Sequence, residues 1–295
     1  RKGEDITVVA RDYFGTTAGW GLGASLWDED AGEFVFPGAT DGYRQLVEYF
    51  AGLVADGLMD PESFTQEDDP AHQKLGQESS YAITTNFQEI EVSRTTLDTT
   101  LGEGNYQLNK IRQPSGPGGD TFGGSRIQSG VMLSSAIAEK DTFVAIMQWI
   151  DWNYYSDEGL EFGKWGVEGE TFTRDDSGER VLADNVDWLG LNGDASDNLR
   201  VDYGMMNGVF LLEHGSSDEI VRTLIPEEEI EWQERMADKE LLPTPPPAPM
   251  NEDEQEQAGL FQTALTDYVS QNTLAFITGQ RDLSEWDDYV TELEG

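Results

Sequence analysis

Residues 43–66, YRQLVEYFAGLVADGLMDPESFTQ, are the stretch of the sequence that decides the fold. In its first part, apolar side chains recur at helical spacing and share one face. They are Tyr43, Leu46, Val47, Phe50, Leu53 and Val54. Thr40 lies where an N-cap residue is expected, and Gly57 lies where a helix commonly ends. The pattern predicts an amphipathic helix with one buried face.

On the N-terminal side of this helix the sequence predicts strands. Residues 27–36 are typical of a hairpin whose turn is Asp30-Ala-Gly32, and Ile6–Val9 is a short β-type run. On the C-terminal side, residues 80–85 are a strand candidate. Helices are predicted from 86–88 to about Leu97, over 141–155, over 226–240, over 251–278, and after a cap at Asp282 or Ser284.

The composition of the chain excludes several classes of function. Its 295 residues contain 18 Lys and Arg against 58 Asp and Glu, which gives a formal net charge of −40. Nucleic acids and anionic membrane surfaces require clustered cations, so we expect no nucleic-acid partner. The absence of cysteine excludes thiol nucleophiles, disulfides and cysteine-ligated metals. We expect no cofactor and no metal site.

Two segments rich in glycine or proline divide the chain. Residues 113–124 lack the Gly-Lys-Ser/Thr ending of a phosphate loop and the strand and helix of a dinucleotide site. They are interpreted as a crossing between lobes. Residues 243–249 are a stiff, proline-rich linker.

Evidence for catalysis is weak in this sequence. His72 and His214 are interpreted as surface residues, and no Gly-x-Ser-x-Gly elbow supports a serine nucleophile. Paired carboxylates could serve a glycosidase or lyase, but 58 acidic residues make any one pair uninformative.

The eight tryptophans suggest a binding function. Aromatic faces stack on the C–H patches of sugar rings, so a tryptophan can serve as a ligand contact. The alternative for each tryptophan is packing in the hydrophobic core. Core packing is favoured for Trp149, Trp152 and Trp286, which lie on amphipathic helices. Five aromatic residues lie in loops or at element ends and are candidate ligand contacts: Trp20, Phe87, Trp165, Trp188 and Tyr203.

Several segments resemble the family 1 extracellular solute-binding proteins of ABC importers, and in particular their long, oligosaccharide-binding subgroup. The segments are RKGEDI (1–6), WDEDAGEF (27–34), YRQLVEYF (43–50), ADGLMDPESFTQ (55–66), SDEGLEFGKWGVEGETF (156–172) and FITGQRDLSEWDDYVTEL (276–293). Departures from the family pattern concentrate at 178–250.

The resemblance implies an α/β, two-lobed periplasmic-binding-protein type II fold whose N-terminal part is missing. Residues 1–110 would belong to the second lobe, 111–180 to the crossing and a first-lobe segment, and 181–295 to the second lobe again. Because the chain begins at Arg1 rather than Met, it is interpreted as a fragment. A signal peptide and a lipid-bearing cysteine would precede it.

The resemblance also implies a function. The protein would be no enzyme, but a monomer outside the cell or in the periplasm, lipid-anchored through the missing N-terminus. It would capture a sugar or oligosaccharide in an interlobe cleft and deliver it to the transmembrane permease subunits. Two alternatives remain open. One is a glycosidase or lyase that uses paired carboxylates, and the other is a binder of peptides or other non-sugar solutes.

Two groups of ligand contacts come from comparison with related binders. Asn86, Phe87 and Gln88 follow a strand candidate and begin a helix, at a turn that faces ligand in proteins resembling this one. Ser125, Arg126 and Gln128 follow the glycine-rich crossing and would offer polar groups to ligand hydroxyls or carboxylates. The helix around Phe143, Ile146, Met147 and Ile150 is expected to lack cover over its apolar face.

Overall fold

The computed structural model describes residues 10–16, 26–28, 31–86, 89–123, 131–211, 216–242 and 246–294. They form two compact units. Unit 1 takes its residues from 1–125 and 234–295, whereas unit 2 takes its residues from 126–233. Unit 2 is therefore inserted into the chain of unit 1.

The helices and strands are numbered in chain order. The helices are α1 (Asp41–Ala55), α2 (Asp68–Gly76), α3 (Glu89–Leu101), α4 (Phe143–Tyr155), α5 (Asp157–Trp165), α6 (Asp218–Val221), α7 (Glu227–Met236), α8 (Glu252–Ile277) and α9 (Trp286–Glu294). The strands are β1 (Leu26–Asp28), β2 (Glu33–Val35), β3 (Thr121–Phe122), β4 (Phe172–Arg174), β5 (Arg180–Leu182), β6 (Val186–Asp187), β7 (Asp197–Asn198) and β8 (Glu240–Leu241). β1 pairs with β2 and β4 with β5 in antiparallel hairpins, whereas β3–β8 and β6–β7 are parallel pairs.

The core of unit 1 forms around α1. Thr40 caps this helix by accepting a hydrogen bond from the Tyr43 backbone N–H at 3.3 Å, and Gly57 follows it in the left-handed conformation. The helix buries its predicted apolar face against α8 and α9. The Tyr43 hydroxyl hydrogen-bonds Thr273 in this core. The buried members of the cluster are Ala10, Phe14, Tyr43, Leu46, Val47, Phe50, Phe64, Val269, Phe276, Ile277, Trp286 and Tyr289.

The long predicted helix over 251–278 is confirmed as α8. Asn251 and Glu254 form a capping box, in which each side chain accepts a hydrogen bond from the other residue's backbone N–H. The predicted 27–36 hairpin is also confirmed, with Trp27 opposite Phe34.

Two sequence predictions in unit 1 are wrong. Residues 80–85 form no strand; the Ser80 hydroxyl donates to the Ala82 carbonyl instead, a local bond that competes with strand pairing. His72 is not a surface residue, because α2 packs against α3 and buries it. Its Nδ1 lies 3.2 Å from the Ser93 hydroxyl.

A network of ion pairs joins β3 and β8, the two short strands of unit 1 that come before and after unit 2 in the chain. Asp120, just before β3, bonds Arg112 at 2.5 and 2.9 Å and the buried Lys239 ammonium at 2.7 Å. Lys239 lies just before β8 and also donates to the Thr121 carbonyl. The hydrogen bonds from Arg112 and Lys239 hold the pKa of Asp120 well below its ordinary range.

We expect Asp120→Asn to lower the Tm of thermal unfolding by about 2–4 °C, because the amide cannot pair with either cation. Since the pKa of Asp120 is depressed, the carboxylate stabilises the fold above about pH 4 and this contribution is lost as the pH falls further. The Tm difference between variant and parent should therefore shrink in acid. Asp267→Asn, on the exposed side of α8, is the control; a difference that is equally large at all pH values contradicts the assignment.

Unit 2 has its own core, made by residues on both sides of 181. The buried members are Trp165, Phe172, Val186, Trp188, Leu199, Met206 and Leu224. Because this core joins 165–172 to 186–224, unit 2 continues to Gln233.

The helix α4 is apolar but poorly covered. Asn153 is its only buried residue, and Val144 is 63% exposed. By contrast, α1 buries five residues. Of the face expected to lack cover, Met147 is 42% exposed, whereas Phe143, Ile146 and Ile150 are half-buried.

We predict that the amides of α4 exchange with solvent faster than those of α1, because local stability follows buried apolar contact. Hydrogen exchange followed by mass spectrometry compares the two helices within one sample, so no second protein is needed. Equal protection of the amides in α4 and α1 would contradict the prediction, because α4 would then be as stable against local opening as α1.

Within the described residues, no helix is both long and apolar enough to cross a membrane. In the same part of the chain, no group of three His, Asp or Glu residues is placed to hold a metal ion.

Candidate functional site

The candidate site lies in unit 2, where α5 follows α4 through a tight turn. Ser156 caps α5 by accepting a hydrogen bond from the Gly159 N–H at 3.0 Å, and its hydroxyl donates to the Trp152 carbonyl at 2.7 Å. A Cβ at Gly159 would overlap that carbonyl, so only glycine allows this close approach. The turn therefore fixes Trp152 beside Phe162 of α5, with ring centroids 5.8 Å apart.

The chain after α5 folds back towards the same place. Gly166 ends the helix with a φ of 84°, and the Thr171 hydroxyl accepts a hydrogen bond from the Val167 N–H at 2.8 Å. The same hydroxyl donates to the Trp165 carbonyl at 2.5 Å. This compact loop brings Glu168 next to β4.

These elements line a cavity of about 200 Å³ that is open to solvent. Aromatic rings and carboxylates line it together: Trp152, Phe162, Phe172, Glu158, Glu161 and Glu168. Aromatic rings with a few polar groups are the usual lining of small-molecule sites, because the rings supply contact area and the polar groups set orientation.

Two arginines of the β4–β5 hairpin neutralise one of the three carboxylates. Glu161 accepts hydrogen bonds from Arg174 at 2.6 Å and from Arg180 at 2.5 Å. Burial opposes ionisation of Glu161, but the bonds from Arg180 and Arg174 outweigh it, so the pKa of Glu161 lies below its ordinary value. Glu161 is therefore an ionised anchor for the hairpin at neutral pH.

The structure places two of the predicted aromatic contacts in the core of unit 2. Trp165 is 6% exposed and donates from its indole N–H to the Thr223 hydroxyl at 2.9 Å, and Trp188 is 2% exposed. The polar sequence around Trp188 suggested a loop, but the parallel β6–β7 pair folds that loop over the ring. In this conformation both side chains serve packing, and neither lines the cavity.

The other described candidates are not among the residues that line the cavity. Tyr203 donates to Asp197 at 3.1 Å, a bond that raises the pKa of its hydroxyl. Asn86 accepts a hydrogen bond from the Glu89 N–H at 3.0 Å and so acts as a cap for α3 in unit 1. The remaining predicted contacts lie outside the described residues: Trp20, Phe87, Gln88, Ser125, Arg126 and Gln128.

The residues that line the cavity are not among the ligand contacts predicted from the sequence. Trp152 was assigned to core packing because it lies on an apolar helix. The signal was nonetheless present, since five of the six lining residues named above fall within the 156–172 segment that carries the family resemblance.

We predict that Glu161→Gln destabilises unit 2 by about 1–2 kcal/mol, because it removes the charge that both arginines bond. Since the pKa of Glu161 is lowered in the folded state, this contribution exists above about pH 4.3 and disappears as the pH falls. Chemical denaturation at pH 7 and at pH 3.5 measures it. Glu179→Gln, exposed in the same hairpin, is the control, and equal effects of the two changes would contradict the prediction.

Comparison with known proteins finds similarity only to solved structures; no family model and no curated protein matches the chain. The alginate-binding protein AlgQ2, solved without calcium ion, is 16% identical with a TM-score of 0.62, over 99% of this chain and 59% of that chain. An extracellular solute-binding protein from Bifidobacterium longum subsp. infantis is 17% identical with a TM-score of 0.60, over 98% and 58%.

A third solved structure is the EF-hand mutant of FusA, an ABC-transporter substrate-binding protein of S. pneumoniae, in complex with fructo-nystose. It is 17% identical with a TM-score of 0.53, over 96% of this chain and 56% of that chain. This chain thus spans less than three fifths of the length of each of these proteins. The resemblance seen in the sequence is confirmed for the fold, which is that of a periplasmic-binding-protein-type solute-binding protein over this part of its length.

Proposed function

We propose that this protein is the extracellular substrate-binding component of an ABC importer and that it captures a sugar or oligosaccharide for delivery to the permease. The observation that carries the proposal is the cavity of Trp152, Phe162 and the glutamates, on a fold shared with solute-binding proteins. The similar structures include an alginate-binding protein and a substrate-binding protein in complex with fructo-nystose.

The cavity has the chemistry that a sugar ring requires. The Trp152 ring offers an apolar face for sugar C–H groups, while the carboxylates of Glu158 and Glu168 can accept hydrogen bonds from hydroxyls. In the importer cycle, a ligand that binds one conformation of the protein more tightly shifts the population towards it. The permease would then recognise that conformation.

The charge state of Glu161 bears on the glycosidase alternative. A general acid needs a carboxyl whose pKa is raised, so that it holds a proton at working pH. Glu161 has the opposite shift because two arginines bond it. Glu161 is therefore not the general acid of a glycosidase, and we propose binding without covalent chemistry.

Isothermal calorimetry of the full-length protein against a panel of neutral, amino and acidic oligosaccharides tests the proposal. We expect Trp152→Ala to weaken binding of the best ligand about tenfold, as loss of one aromatic contact would. The matched control is Trp149→Ala, because Trp149 lies on the same helix but packs on Phe210 instead of lining the cavity.

Three results would contradict the proposal. The first is no binding of any saccharide, and the second is equal weakening by the two tryptophan changes. The third is sustained release of cleaved products from the panel, which would favour the enzyme instead.

A further inference from the structure

The cavity carries more negative charge than its arginines neutralise. Arg174 and Arg180 both bond Glu161, and Arg174 reaches Glu168 only at 3.4 Å. Within the described part of the chain, Glu158 forms no ion pair. An open carboxylate therefore lies beside the rings of Trp152 and Phe162.

The edge of the cavity already accommodates a cation of the protein itself. The Arg174 guanidinium lies 2.6 Å from Glu161, 3.4 Å from Glu168 and 5.8 Å from the centroid of the Phe172 ring. Carboxylates and the face of an aromatic ring are the two partners that also stabilise an ammonium group. The contacts of Arg174 thus show that this surface binds a positively charged group.

The size of the cavity limits the ligand to a small group. Sites for drug-sized ligands have volumes of about 300–1,000 Å³, whereas this cavity has about 200 Å³. It suits one terminal sugar ring and its substituent rather than a whole oligosaccharide. A uronate would place its carboxylate among like charges, in a protein whose net charge is −40.

We propose that this cavity recognises the protonated amine of an amino sugar, with Glu158 and Glu168 as its acceptors and Trp152 against the ring. The inference rests on the proposed function and deepens it by naming the class of sugar. It distinguishes this protein from an alginate binder, whose ligand is anionic.

The test measures the affinity of the full-length protein for three disaccharides by calorimetry at low and at moderate salt. They are the β-1,4 dimer of glucosamine, its N-acetylated form and a dimer of galacturonate. We expect the amine to bind about tenfold more tightly than the N-acetylated dimer, as one ion pair and one cation–π contact together would provide. Galacturonate should bind most weakly, and salt should reduce the preference for the amine.

Glu158→Gln should remove most of the difference between the amine and the N-acetylated dimer. Since Glu158 is exposed, this change does not threaten folding. The control is Glu179→Gln, an exposed glutamate of the β4–β5 hairpin outside the cavity, which should keep the full preference.

Equal or tighter binding of the N-acetylated or uronate dimer, or an amine preference that survives Glu158→Gln, would overturn the inference and leave sugar capture standing. Absence of binding to every dimer and to the wider saccharide panel would overturn both.

Discussion

The packing of α1 against α8 is the contact on which the rest of unit 1 depends. It joins residues from the two ends of the described chain, since the hydroxyls of Tyr43 and Thr273 bond across 230 positions. Aromatic rings continue the contact into α9, where Trp286 and Tyr289 pack on Phe276. With this core closed, the chain between its two halves can form unit 2 as a separate body.

The large negative charge is a second constraint on the structure. With 18 cations for 58 acids, most carboxylates remain solvated, and each buried or half-buried cation takes a specific place. Lys239 and Arg112 converge on Asp120 in unit 1, whereas Arg174 and Arg180 converge on Glu161 in unit 2. Both networks connect segments that are distant in sequence or lie on different elements, so each network stabilises one specific tertiary contact.

Local signals in the sequence predicted the elements well wherever caps and periodicity agreed. The cap at Thr40 and the helix-ending glycine at Gly57 involve only neighbouring residues, so they can be recognised without the fold. The failures have tertiary causes. His72 is buried by a second helix, and the core of unit 2 encloses Trp188 although its neighbours in sequence are polar.

The candidate site was beyond sequence reasoning for a related reason. Trp152 lies on an apolar helix, and the close approach of Gly159 to its backbone carbonyl belongs to the turn that brings Phe162 beside its ring. Periodicity records which residues share a face of one helix, but it contains no information about the angle at which the next helix leaves.

The separation between Tyr43 and Thr273 also has a consequence for biosynthesis. A ribosome that adds about 5–20 residues per second needs about 10–50 s to make the 230 positions between them. During that time α1 has been synthesised but its partner helix has not, so Tyr43, Leu46 and Phe50 face solvent or a chaperone. Unit 2, whose core residues are close in sequence, emerges complete in the interval and can fold first. The nascent chain can therefore complete its inserted unit before the unit that carries it.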